Sequence, residues 1–179
     1  MNYQKIKFTK HCFLFSFWMC LALTFSAFAQ SNNFSDSSVD YKFELPEAKW
    51  KLTSKPTQMS PNAEFVYGDR SDGHLEIRKL TLKTNQTLPD IVRDEEQKLQ
   101  FVTGYVAGKE ETFRGALGGK VFNYEFVRSA RNMSGRFYFL KVDDKTIYVL
   151  RFTAMRDKLR SLRNQTDSIA RTFDLKKAK

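Results

Sequence analysis

Apolar positions in this chain recur with two periods, one of two residues and one of three to four, and their order predicts the elements. Aromatic and β-branched residues mark strands at Tyr41–Leu45, stopped by Pro46, at residues 50–53 and at Ala63–Tyr67, with Pro56 and Pro61 between the last two. Residues 68–73 (GDRSDG) have the composition of a turn, and residues 74–83 read as a long fourth strand. Leu88, Ile91, Val92 and Leu99 fall instead on one helical face. Thr87 offers a cap for that helix, Pro89 and Asp90 lie in its first turn, and Gly104 closes it.

Strands return in the second half. Residues 105–114 predict a polar strand near a sheet edge. Residues 120–128 put Phe122, Tyr124 and Phe126 on one side and Val121, Asn123, Glu125 and Val127 on the other. Residues 131–135 (RNMSG) have hairpin-turn composition. The strands at 136–142 and 146–152, joined by a tight turn at 143–145, are apolar on both faces, as in the middle of a sheet covered on two sides. Leu159, Leu162, Thr166, Ile169, Ala170 and Phe173 then draw one continuous helical stripe. Two main helices and about seven mostly hairpin-linked strands predict an α+β fold with a mostly antiparallel sheet.

The ends of the chain read differently. Lys5, Lys7 and Lys10 precede an apolar run at residues 13–25, and Ala27 and Ala29 supply a small-x-small site before Gln30. This is the layout of a cleavable secretion signal over residues 1–29, and the run is shorter than the roughly 20 residues a membrane anchor needs. A lipid anchor at Cys20 is disfavoured by the bulky Phe17, Trp18 and Met19. Residues 30–40 (QSNNFSDSSVD) read as a flexible spacer, 41–175 as a single globular domain and 176–179 as a basic tail. The expected location is therefore outside the cytoplasm, periplasmic or extracellular, with no transmembrane segment after cleavage. Loss of the signal removes three lysines, both cysteines and His11, leaving 27 basic against 20 acidic residues, a net +7. A chain without cysteine has no disulfide and no thiol chemistry, and must hold itself together by its core.

The opening Tyr41-Lys42-Phe43-Glu44-Leu45-Pro46 with Trp50, and the closing Lys145-Thr146-Ile147-Tyr148-Val149-Leu150 and Ile169-Ala170-Arg171-Thr172-Phe173, resemble the start and end of PsbP-like and DcrB-like domains. The resemblance spans about residues 41–173 and rests on structural positions. It implies an α/β/α sandwich on an antiparallel sheet, in a group of mainly non-catalytic accessory or binding proteins, often exported. It carries over no functional residue.

Candidate chemistry is sparse. His74 is the one histidine left after cleavage, which excludes Cys/His dyads and His-rich zinc sites within one chain, and no Gly-x-Ser-x-Gly elbow is present. Neither a catalytic residue nor a cofactor is assigned. Asp69, Asp72 and His74 form the most metal-like cluster, though Asp and Gly there suit a tight turn and the calcium-loop spacing is missing. The acidic pairs Glu95-Glu96 and Glu110-Glu111 point in divergent directions as adjacent residues. Glu125 and Arg151 sit mid-strand among apolar neighbours, and are expected to pair across the sheet or to open into a lined pocket. Arg128, Arg131 and Arg136 flank one hairpin, while Arg156, Lys158, Arg160 and Arg163 lead into the last helix. These arginines are the candidate anion-binding residues. No nucleic-acid motif accompanies them, and residues 115–119 lack the Lys-Ser/Thr of a phosphate loop. The expected function is an exported, non-catalytic binding or accessory domain for an unknown protein or an acidic envelope component. The alternatives are a carboxylate-based hydrolase acting on envelope material, or a basic surface module for acidic polymers or lipid head groups.

Overall fold

The computed structural model describes residues 32–176, so the signal, its cleavage site and the last three residues lie outside the described residues. Seven strands form the main sheet: β3 (Trp50–Ser54), β4 (Ala63–Tyr67), β5 (Asp69–Thr81), β6 (Val106–Phe113), β7 (Gly119–Arg128), β8 (Arg131–Lys141) and β9 (Thr146–Met155). Their order is β3-β4-β5-β9-β8-β7-β6, and every neighbouring pair is antiparallel. A second sheet of order β1-β2-β10 joins β1 (Asn32–Ser35), β2 (Tyr41–Leu45) and β10 (Asp174–Leu175). Among the described residues three helices complete the α+β fold: α1 (Leu88–Leu99), α2 (Arg156–Ser161) and α3 (Arg163–Thr172).

Alternation along the strands divides the core in two. On one face Phe122, Tyr124, Phe126, Phe137, Phe139, Ile147 and Val149 pack under Ile91, Val92 and Leu99 of α1. On the other, Tyr138, Leu140, Tyr148, Leu150 and Phe152 meet the small sheet and the apolar stripe of α2 and α3. β8 and β9 are buried on both faces, which is why their sequences are continuously apolar. β6, at the edge, is exposed from Val106 to Thr112.

The last helical stripe is buried along its whole length, but the helix breaks at Leu162 (φ −85°, ψ 2°). Hydrogen bonds from Leu162 N to Lys158 O (3.0 Å) and from Thr166 N to Leu162 O (2.9 Å) carry the chain across, so the stripe keeps one face. Phe173 ends it fully buried, with its ring 5.0 Å from those of both Tyr41 and Tyr148.

Four local expectations are corrected. Residues 69–73, read as part of a turn, open β5, and the chain reverses at Gly68 (φ 68°), where Tyr67 pairs with Asp69. Residues 32–35 form β1, paired with β2, rather than a spacer; Phe34 lies 5.0 Å from Phe43 and 5.2 Å from Phe65, and this aromatic contact anchors an otherwise polar segment. The hairpin turn is Ser129-Ala130, both at positive φ, not residues 131–135. Gly135 is a strand residue whose missing side chain admits the Tyr124 ring, since a Cβ there would sit 2.0 Å from Tyr124 Cζ. Lys176, read as part of a basic tail, is tied down by its Nζ to Val39 O (2.9 Å) and Asp36 O and by its amide to Asp40 O.

Candidate anion-binding cleft

Where α2 leaves the sheet, the β6–β7–β8 end of that face is only partly covered, and a cleft of about 550 Å³ opens. Its walls are Val106, Ala107, Gly108 and Glu111 of β6, Asn123 and Glu125 of β7, Ser134 and Arg136 of β8, Arg156, Leu159 and Arg160 of α2, and Arg163 at the start of α3. β6 bulges here. The register shifts between Ala107 and Glu110, and at Gly108 a Cβ would meet Asn123 O at 2.5 Å. A bulge bends an edge strand, and only glycine permits this approach.

Four of the six candidate arginines therefore line one cleft: Arg136, Arg156, Arg160 and Arg163. The register of β7 with β8 excludes the other two. Arg128 and Arg131 face each other at the hairpin end, on the α1 side, with the Arg128 guanidinium 5.3 Å from the Phe126 ring.

The four differ in how far protein groups satisfy them. Arg136 is buried and consumed: Nε donates to Tyr138 Oη (2.6 Å), one terminal nitrogen to Asn123 Oδ1 (2.9 Å) and the other to Asp167 Oδ1 (2.8 Å). Tyr138 Oη also contacts Asp167 and Thr166 Oγ1, and burial holds its pKa well above the usual phenol range. This network clamps α3 to the sheet. Arg156 makes one ion pair, to Glu125 Oε2 at 2.8 Å, and its shielded Nε has no acceptor among the described residues. Arg160 and Arg163 are exposed, and among the described residues neither has a carboxylate within 4 Å.

The predicted Glu125–Arg151 pair does not form. Glu125 and Arg151 alternate to opposite faces of the sheet, so Glu125 turns to Arg156, while Arg151 donates to Tyr124 Oη (2.8 Å), lies over the Phe137 ring at 5.4 Å and faces Glu76 at 3.9 Å. Asp69, Asp72 and His74 are each engaged separately. Asp69 accepts from the Ser71 hydroxyl (2.6 Å) and from the Ser71 and Asp72 amides, which hold its pKa below the carboxylate range. Asp72 pairs with Lys158 at 3.5 Å, and His74 Nε2 bonds Glu64 Oε2 at 2.8 Å. Among the described residues no three His, Cys, Asp or Glu side chains are grouped to hold a metal. Lys158, taken with the basic residues, thus faces Asp72 rather than the cleft.

Glu111 and Glu125 both line the cleft, the arrangement a carboxylate hydrolase would use. Each is about two-fifths exposed and faces a cation, Lys109 at 3.2 Å and Arg156 at 2.8 Å. Each carboxylate is thus turned to a protein cation rather than held free towards the cleft. Sequence reading missed Asp167 and Tyr138. The signal for Asp167 is visible in retrospect: it is the one acid in α3 (RNQTDSIART).

No protein-family model and no curated protein sequence matches the chain. Solved structures do. The cyanobacterial PsbP (CyanoP) of Synechocystis has 13% identity and a TM-score of 0.58, over 83% of this chain and 94% of that one. The Ran-binding protein Mog1p of Saccharomyces cerevisiae has 10% identity and a TM-score of 0.59, over 82% and 96%. LpqN of Mycobacterium tuberculosis, involved in cell envelope biogenesis, has 10% identity and a TM-score of 0.54, over 82% and 85%. At such identities the likeness concerns architecture alone, and that architecture is PsbP-like.

Proposed function

We propose that this is an exported, non-catalytic binding or accessory domain, and that it engages an acidic partner, a protein or an envelope component, through the arginine cleft. The single observation that carries the reading is the convergence of Arg156, Arg160 and Arg163 beside a consumed Arg136 in one 550 Å³ cleft. Arg160 and Arg163, which have no carboxylate within 4 Å among the described residues, suit bidentate contact with carboxylate or phosphate groups, and Arg156 stands beside them paired to a half-exposed Glu125. The signal-like pattern of residues 1–29 supports export, and no described helix is long and apolar enough to cross a membrane. The scaffold is compatible with such work: similar folds occur in a Ran-binding protein and in a protein involved in envelope biogenesis.

Bulk charge is the competing explanation, because any domain of net +7 adheres to an anionic matrix. The test is retention at low salt of the Arg160→Glu/Arg163→Glu double variant against Lys42→Glu/Lys51→Glu, which changes the charge equally at exposed sites outside the cleft. Loss of retention only in the first supports the cleft. Equal loss in both rejects it.

A further inference from the structure

Building on that reading, we infer that the cleft takes an organic phosphate monoester, held as a dianion by Arg156, Arg160 and Arg163, and that Glu125 is the internal anion it displaces. The charge count points to the class. Four arginines and two glutamates line the cleft, a surplus of two positive charges. Arg136 is neutralised by Asp167 and Glu111 by Lys109, both outside the lining, so Arg156, Arg160 and Arg163 against Glu125 alone keep that surplus of two. A carboxylate carries one charge in a plane and is satisfied by one guanidinium fork. A phosphate monoester carries close to two charges at neutral pH and three acceptor oxygens, matching several donors from different elements.

Two further features select an ester over the bare ion. A cleft of about 550 Å³ is of the size that organic ligands occupy, and one phosphate group leaves most of it unfilled. Its remaining wall includes Val106, a residue 58% exposed on the edge strand, with Ala107 and Leu159 also lining the cleft. An exposed valine there offers apolar surface for the organic part.

Glu125 gives the site its resting state. It faces Arg156 at 2.8 Å, with both side chains about two-fifths exposed, so water screens the pair and its rupture costs little. Arg156 also keeps one donor, Nε, without an acceptor among the described residues. Removing the negative charge at position 125 therefore strengthens binding, whereas a residue serving only stability would leave binding unchanged.

Calorimetry on the exported protein, with phenyl phosphate, inorganic phosphate and acetate as probes, tests this. Phenyl phosphate is expected to bind more tightly than inorganic phosphate, with acetate weakest. Glu125→Gln is expected to raise affinity for phenyl phosphate about threefold, the worth of an exposed ion pair. Arg160→Glu/Arg163→Glu is expected to lower it at least about tenfold. Arg160→Gln and Arg163→Gln serve if charge reversal disturbs folding, with melting temperature as the control. Flotation with phosphatidate or phosphatidylglycerol vesicles identifies the source. Phosphatidate-selective capture assigns a lipid head group, and binding of phenyl phosphate without capture assigns a soluble ester. Equal affinity for acetate and phenyl phosphate, or no change on Glu125→Gln, overturns the inference. Cleft-dependent retention on an anionic matrix without binding of either phosphate probe or of phosphatidate removes this inference alone and leaves the broader reading standing.

Discussion

Arg78–Glu95 and Arg156–Glu125 are ion pairs of nearly equal length, 2.7 and 2.8 Å, on opposite faces of one sheet. The first lies beneath α1, with side chains 22% and 8% exposed; the second lies at the cleft, at 41% and 42%. Arg78 also has Glu76 at 3.4 Å from its Nε, and Glu95 takes a second cation, Lys98, at 2.7 Å. Arg156 has Glu125 alone among the described carboxylates. Distance thus says little about role. The closed pair is an internal fixture whose charges have nowhere else to go, while the open pair can exchange its anion for another.

The largest difference is expected on breaking the closed pair. Glu95→Ala leaves Arg78 beneath a helix with only Glu76, 3.4 Å from its Nε, and should cost about 2–3 kcal/mol, less than the roughly 3–5 kcal/mol of a buried charge left wholly unpaired. Urea denaturation reads it, and a cost nearer that of a surface substitution would erase the distinction. Acid should act on the same residue. Burial works against the charged form of Glu95, but hydrogen bonds from Arg78 and Lys98 outweigh it, so its folded pKa lies below the ordinary 4.5. A depressed carboxyl adds stability that is complete above pH 4.5 and is lost as pH falls through its folded pKa. The gap in urea midpoint between the parent and Glu95→Gln should therefore be wide at neutral pH and narrow below pH 4.5. A gap that widens on acidification would contradict the assignment. The smallest effect belongs to the open pair. Glu125→Ala should change stability by less than about 1 kcal/mol, with even that effect fading in molar salt.

Much of this architecture was legible because burial writes itself as periodicity. The doubly apolar β8 and β9, the polar edge strand β6 and the stripe from Leu159 to Phe173 all follow from which side chains meet water. β1 was hidden, because its segment is polar apart from Phe34, and the contacts that order it come from Phe43 and Phe65, distant in sequence. The Ser129-Ala130 turn was hidden because neither residue is typical at positive φ, while Gly135 drew the reading toward a false turn. The cleft was half legible. Arginine content marked its residues, but strand alternation and register separated Arg128 and Arg131 from it, and uncoupled Glu125 from Arg151.

The most direct test of the contrast is NMR observation of the arginine Nε–Hε resonances during titration with inorganic phosphate. The account predicts saturable shifts for Arg156, Arg160 and Arg163, while Arg78 and Arg136, held by internal acids, stay in place. Arg78 moving in step with Arg156, or uniform unsaturable drift of every arginine, would contradict it.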